Sequence, residues 1–247
     1  MKLDFTGKHA VVTGSGSGVG LAIAKAFAAA GARVTVADLH MEEARQAQLL
    51  SIPGIVRAVK LDVSDPAAVS RLFAGLEAVD ILVNNAGIYP TCGFFDLTPE
   101  KWEQMIEVDL NSVFFCTQAA AKNMRSGQRG GAIVNITTID HIHPSRDHAH
   151  YCAAKAGALS LTRSSAAELG KYGIRVNAVA PGLVNRPTLK TDWPDGYQRF
   201  LSKAPLGIPP EADDIAAACL FLASDLARCI SGVELPVDSG ILAREPY

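Results

Sequence analysis

Short apolar runs bounded by turn residues alternate along this chain with longer stretches in which Ala and Leu recur at helical spacing. His9 to Thr13, Arg33 to Ala37, Val56 to Leu61, Asp80 to Val83, Ala132 to Thr138, Ile174 to Ala180 and Val233 to Val237 read as strands. Leu21 to Ala30, Pro66 to Glu77, about Pro99 to Met124, the Tyr151 stretch through Leu169, and Glu211 to Ala223 read as helices. Strands that are apolar throughout are buried on both faces. Their alternation with helices predicts an α/β fold, a doubly wound parallel sheet of about seven strands with helices on both faces. No linker composition interrupts the pattern, so residues 1–247 read as a single domain. In such sheets ligands bind beyond the carboxyl ends of the strands, and Asp62, Asn84, Thr138 and Pro181 each stand at such an end.

Two local patterns carry chemistry. The first strand runs into Gly14-Ser15-Gly16-Ser17-Gly18-Val19-Gly20 and then into a helix. Strand, glycine-rich turn and helix form the context of a dinucleotide site: the glycines let the backbone approach a pyrophosphate, and the helix N-terminus offers unpaired N–H groups to its charge. The second strand ends at Asp38, about 20 residues beyond the turn, where a carboxylate accepts hydrogen bonds from both adenosine ribose hydroxyls. It would repel a 2′-phosphate, and the residues that follow it, Leu39 and His40, bring no Arg or Lys. The expected cofactor is NAD rather than NADP.

The second pattern is Tyr151-Cys152-Ala153-Ala154-Lys155. A phenol and an amine four residues apart on a helix share one face. The ammonium favours the phenolate of a Tyr whose free pKa is about 10, so the pair is expected to supply a general base near neutral pH.

Together with Thr13-Gly14-x-x-x-Gly18-x-Gly20, Asp62-Val63, Asn84-Asn85-Ala86-Gly87, Pro181-Gly182 and Val237-Asp238-Ser239-Gly240, this pattern resembles the classical short-chain dehydrogenase/reductases over nearly the whole chain. The resemblance implies a Rossmann-type fold. It implies that Gly14, Ser17, Gly18, Val19 and Gly20 hold the pyrophosphate, that Asp62 and Val63 contact adenine, and that Asn84, Ala86 and Gly87 brace the sheet beside the cofactor, with Pro181, Gly182 and Val184 also lining it. Tyr151 would be the acid/base, and Lys155 would lower its pKa while holding the nicotinamide ribose. A homotetramer is also implied, with the long helices and the last helix-and-strand region as interfaces and the tail Arg244-Glu245-Pro246-Tyr247 reaching a neighbour's pocket.

Three positions depart from the family pattern. The substrate-orienting Ser, thirteen residues before the Tyr, is Thr138, which keeps the hydroxyl and adds a methyl. The helix Asn that holds a relay water in the family is Asp109, which accepts but does not donate and adds a charge that raises nearby pKa values. The Thr expected after Pro181-Gly182 falls at Arg186, with Thr188 two residues on.

The segment from Thr138 to Tyr151 lines the substrate side in this family. It holds Asp140, Arg146 and four of the chain's six His, at 141, 143, 148 and 150. Such polarity suits a small hydrogen-bonding substrate contacted by Thr138, Asp140, Arg146, His148, Tyr151 and Arg186, and not a steroid or long acyl chain. A metal reading of the His cluster lacks ligand geometry and is set aside. Residues from about 183 to 205, including Trp193, Pro194 and Tyr197, read as a lid.

A net charge of −2 gives no electrostatic case for nucleic acid or an anionic membrane, and no run reaches membrane-spanning length. Five scattered cysteines without a C-x-x-C pair suit a reducing cytoplasm. The expected function is NAD-dependent interconversion of a secondary alcohol and a ketone on a sugar, sugar acid or polyol. The competing readings are a small-ketone or oxoacyl-type reductase and a catalytically weakened protein that senses NAD.

Overall fold

A computed structural model of the chain describes residues 3–243. Among the described residues seven strands form one sheet: β1 (His9–Thr13), β2 (Arg33–Asp38), β3 (Ile55–Lys60), β4 (Ile81–Asn84), β5 (Gly131–Ile136), β6 (Ile174–Pro181) and β7 (Glu234–Val237). All neighbours are parallel, in the order β3-β2-β1-β4-β5-β6-β7. The chain steps outward from β1 to β3, returns to the other side of β1, and steps outward again to β7. The reversal between β1 and β4 opens a crevice at their carboxyl ends, the place where such sheets bind ligands.

Every residue of β1 and β4 is buried. Alternate side chains leave the sheet on opposite faces. Val12, Val83 and Val134 pack with Ile23 and Phe27 of α1 (Gly18–Ala29) and with Ile215 and Leu222 of α9 (Ala212–Ala223). Val11, Leu82, Ile133 and Val176 pack with Val69, Leu72 and Phe73 of α3 (Pro66–Ala74) and with Cys116, Ala120 and Met124 of α5 (Ser112–Ser126). Each large apolar side chain so buried contributes about 1.5–3 kcal/mol. The remaining helices are α2 (Glu43–Leu50), α4 (Pro99–Ile106), α6 (Ala149–Leu169), α7 (Leu189–Asp192) and α8 (Pro194–Lys203).

The sheet and its helices follow the apolar pattern, with three differences. The polar stretch Glu-Ala-Arg-Gln-Ala-Gln-Leu-Leu forms α2, which is polar over most of its length and buries only Leu49. The long helix read from Pro99 to Met124 is interrupted: a π-helical turn, Glu107–Asn111, separates α4 from α5 and carries the buried Asp109. The segment read as a lid contains α7 and α8, with Leu189 buried beneath it. The tail Arg244 to Tyr247 lies outside the described residues.

A polar chain crosses the interior just below the crevice. Asn84 Nδ2 donates to Thr117 Oγ1 (3.0 Å) and to Asn135 Oδ1 (2.8 Å); Asn135 Nδ2 donates to Thr162 Oγ1 (2.8 Å), and Thr162 Oγ1 donates to the Ala158 carbonyl (2.8 Å). It ties β4 and β5 to α5 and α6 through buried groups, so a deletion strands donors away from water. Asn135→Ala is expected to destabilise the fold by about 1–3 kcal/mol. A urea unfolding midpoint equal to that of the wild type would contradict this.

Candidate active site

The glycine-rich turn stands at the head of the crevice. Gly14 and Gly20 pack against one another, and Asn85 Nδ2 ties the turn down by donating to the carbonyls of Thr13 (3.1 Å) and Gly14 (2.9 Å). Thr13 Oγ1 in turn accepts from the N–H groups of Asn85 and Ala86, both at 3.1 Å. Gly18 opens α1 with φ +54°, and no atom lies within 4 Å of where a side chain would begin. Ser17, extended at the N-cap, makes no side-chain cap to the helix, so the first-turn amides of Gly18 and Val19 are left for a ligand. This open, positively poised cradle fits a pyrophosphate.

Asp38 lies beside the turn. Its carboxylate accepts from Gly16 N (2.8 Å) and His40 N (2.9 Å). Arg45, reaching over from α2, donates through Nε to the Gly16 carbonyl at 2.9 Å and makes a second bond to it through Nη2. Arg45 was not legible in the sequence, because the polar helix that carries it offers a single residue to the core. Asp62 is exposed and turns on Ser64, whose N–H and hydroxyl donate to it at 2.9 and 2.6 Å, while Val63 is buried beside it. Asn84 points away from the crevice into the polar chain under the sheet. Gly182 and Val184 follow the end of β6, where the Gly182 N–H donates to the Val237 carbonyl at 2.9 Å.

Below the turn stands the Tyr151–Lys155 pair, and the structure adds its support. Lys155 is buried; its Nζ donates to the Ile136 carbonyl at the end of β5 (3.1 Å) and pairs with Asp109 Oδ2 (3.2 Å). Asp109 Oδ1 accepts from the Ile88 N–H at 2.8 Å. Gly87 fits between them, since a side chain there would start 2.8 Å from Asp109 Oδ2. The ammonium lies 5.8 Å from the centre of the Tyr151 ring. Thr138, buried, accepts from the Asp140 N–H at 3.2 Å, which leaves its own hydroxyl proton to donate towards Tyr151.

The electrostatics correct one expectation. Burial pushes Lys155 down, but Asp109 first and Tyr151 second more than offset it, and the amine is held above its ordinary range. Burial pushes the Tyr151 phenol up. Lys155 and the Thr138 hydrogen bond oppose this, but Asp109 and Asp140 reinforce it, and the phenol stays above its ordinary value. Lys155 therefore does not bring the phenol below its ordinary value: burial is the largest opposing cause, with Asp109 and then Asp140 adding to it.

The four loop histidines scatter. His148 Nδ1 bonds the Arg146 carbonyl (2.8 Å) and presents its ring edge-on to Tyr151, 5.9 Å between centres. His150 is buried, and His143 is half-buried. His141 turns inward: Nδ1 bonds the Thr138 carbonyl and Nε2 pairs with Glu234 Oε2 at 3.1 Å. Asp140 is half-buried, its carboxyl raised by burial against the opposing pull of Ser145, His148 and His141. Arg146 is exposed. Arg186 is exposed at the mouth, where it donates to the Tyr89 hydroxyl (3.3 Å) and pairs with Asp192 (3.4 Å); Thr188 also donates to Asp192 (2.6 Å). Glu234 was missed, although a carboxylate inside the apolar run Val233 to Val237 was a visible anomaly. Among the described residues no group of three or more His, Cys, Asp or Glu stands in metal-holding geometry.

A family model described as Enoyl-(Acyl carrier protein) reductase matches residues 14–242. L-rhamnose 1-dehydrogenase (NAD(P)(+)) of Azotobacter vinelandii is 39% identical, covering 95% of this chain and 96% of its own. The chain belongs to the short-chain dehydrogenase/reductase family. It is an oxidoreductase acting on CH–OH groups with a nicotinamide cofactor. Meso-2,3-butanediol dehydrogenase of Serratia marcescens is 35% identical, covering 98% of this chain and 97% of its own. A structure from Agrobacterium tumefaciens, assigned as a 2-deoxy-D-gluconate 3-dehydrogenase and holding NADP, superposes with a TM-score of 0.89 at 35% identity, covering 98% of this chain and 99% of that one.

Within this short-chain dehydrogenase/reductase the departure with the clearest electrical consequence is Asp109. Asp109→Asn removes a negative charge that raises the Tyr151 phenol. The limb on which oxidation rates rise with pH, as the phenol ionises, is therefore expected to move to lower pH. A pH profile of kcat/KM in the oxidative direction tests this, and an unmoved limb or one displaced upward would contradict it.

Proposed function

We propose that the chain oxidises a secondary alcohol of a small polyhydroxylated substrate, a sugar, sugar acid or polyol, with NAD preferred over NADP. The observation that carries this reading is the assembly of Tyr151, Thr138 and Lys155 where β5 ends and α6 begins, beside a loop that carries Asp140 and His148, the latter edge-on to Tyr151. The rhamnose and butanediol activities named for its relatives support the same substrate class. A bound nicotinamide supplies the hydride acceptor and, when oxidised, a positive charge that pulls the phenol down. Thr138 donates to the substrate oxygen, and Tyr151 as phenolate takes the hydroxyl proton as the carbinol hydride leaves. Lys155, fixed by Ile136 and Asp109, holds the ribose and the field at the phenol. Arg186 at the mouth would meet an acidic group of the substrate.

Gly14, Ser17, Gly18, Val19 and Gly20 would hold the pyrophosphate; Asp38 the ribose hydroxyls; Asp62 and Val63 the adenine; and Ala86, Gly87, Pro181, Gly182 and Val184 the nicotinamide half. Residues 183–205, with α7 and α8, would act as the lid. Assembly as a homotetramer is supported by the half-exposed Phe114 over the groove between α5 and α6, which is lined by Leu161, Leu169 and Tyr172. A monomeric sedimentation mass would remove it. The cytoplasm is proposed as its compartment. Among the described residues no helix is long and apolar enough to cross a membrane.

An oxoacyl-type reductase would need apolar walls in place of this loop, and an NAD sensor would not need the phenol. Tyr151→Phe is expected to lower turnover by at least about 10³-fold while NAD affinity by fluorescence titration stays within a few-fold; near-native turnover would remove Tyr151 from the chemistry. Growth of NADH absorbance across a panel of sugars, sugar acids and polyols tests the substrate class, and silence throughout would favour the sensor. NADP binding as tight as NAD would overturn the role given to Asp38.

A further inference from the structure

His141 is unlike its neighbours on the substrate loop. Its side chain and that of Glu234 are each only 8% exposed. Nδ1 faces the Thr138 carbonyl, which only accepts, so Nδ1 carries a proton; one further proton bridges Nε2 and Glu234 Oε2. Glu234 Oε1 is itself taken by the Thr137 hydroxyl, which donates at 2.6 Å and also contacts the Val179 carbonyl at 3.1 Å. The carboxylate is thus held at both oxygens, as burial demands. The network joins the residue after β5 to Val179 within β6 and to the start of β7, and finishes on the backbone of one residue, Thr138.

Thr138 is fixed from both of its polar ends. Its hydroxyl accepts from the Asp140 N–H, and its carbonyl is clamped by His141. Its backbone is extended, with φ −162° and ψ 155°, at the entry to the short turn Ile139–His141, and its β-branched side chain has little χ1 freedom. Orienting the peptide therefore orients the hydroxyl. The other groups facing this clamp are Asp140 and Ser145 from the loop, with Thr137 and Glu234 from the strand ends.

We propose that His141 is a positioning residue for the proposed reaction: its Nδ1–H, backed by Glu234, clamps the Thr138 carbonyl and so aims the Thr138 hydroxyl at the substrate oxygen and Tyr151. The inference rests on the alcohol-oxidation reading above, and its test separates the two.

Two variants keep different halves of the imidazole. His141→Asn places an amide donor near the Nδ1 position and keeps the clamp on Thr138 while losing Glu234. His141→Gln reaches the Nε2 position and keeps Glu234 while losing the clamp. With a sugar or polyol substrate found active, His141→Asn is expected to retain kcat within about 3-fold, and His141→Gln and His141→Leu to lose 10-fold or more, with the KM for NAD unchanged in all three. In a Thr138→Val background the same His141→Gln change should cost no further kcat. An anchor that merely stabilises the fold would give the reverse order, with Gln the better variant, or equal losses in both backgrounds; either result overturns the proposal. Thermal midpoints identify a variant that has failed to fold, and Glu234→Gln, which keeps the shape of the pair and weakens only its charge, is then expected to lower kcat by a smaller factor than His141→Gln; an unchanged kcat overturns the proposal. Tyr151→Phe tests the underlying reaction independently, because its loss or retention of turnover does not depend on His141.

Discussion

The ion pair between Lys155 and Asp109 is the contact on which the rest of the site depends. An ammonium taken out of water is costly, and the structure keeps it charged by surrounding it with acceptors: a carboxylate at 3.2 Å and the Ile136 carbonyl at 3.1 Å. Each acceptor comes from a different part of the fold. Ile136 closes β5, Asp109 rides on the π-helical turn between α4 and α5, and the Ile88 N–H that fixes Asp109 follows β4. Three separate elements thus converge on one side chain of α6. That convergence fixes α6 against the sheet and places Tyr151, one turn earlier, over the crevice.

Burial first, and then the same pair, set the electrical character of the phenol. A neutral amide at position 109 would leave the ammonium's field free to act on Tyr151. A carboxylate there raises the lysine and, added to the larger effect of burial, helps keep the phenol above its ordinary value.

Around the crevice, order comes from polar anchors. Thr13, Asn85 and Asn84 hold the loops after β1 and β4, and His141 with Glu234 holds the loop after β5. Arg186 meets both Tyr89 and Asp192 at the mouth through exposed contacts, which water and salt weaken. The polar groups beneath the crevice are buried, and those of Arg186 and Asp192 at its rim are half-exposed.

By itself the sequence determined the α/β alternation, the strands, and the motif residues, because each depends on neighbours close in the chain: a period of two or 3.6, a glycine next to a strand, an amine one turn from a phenol. Tyr151 and Lys155 were legible for that reason. Tertiary structure decided what depends on partners far apart in the chain. Asp109 meets Lys155 across 46 positions, and His141 meets Glu234 across 93. Arg45 reaches Gly16 from a helix that is polar over most of its length and buries a single residue. The π-helical turn, which the apolar pattern runs straight through, sets the inward position of Asp109. Charge states in the pocket followed the same rule: they are sums over distant groups and burial, and no local pattern of residues contains that sum.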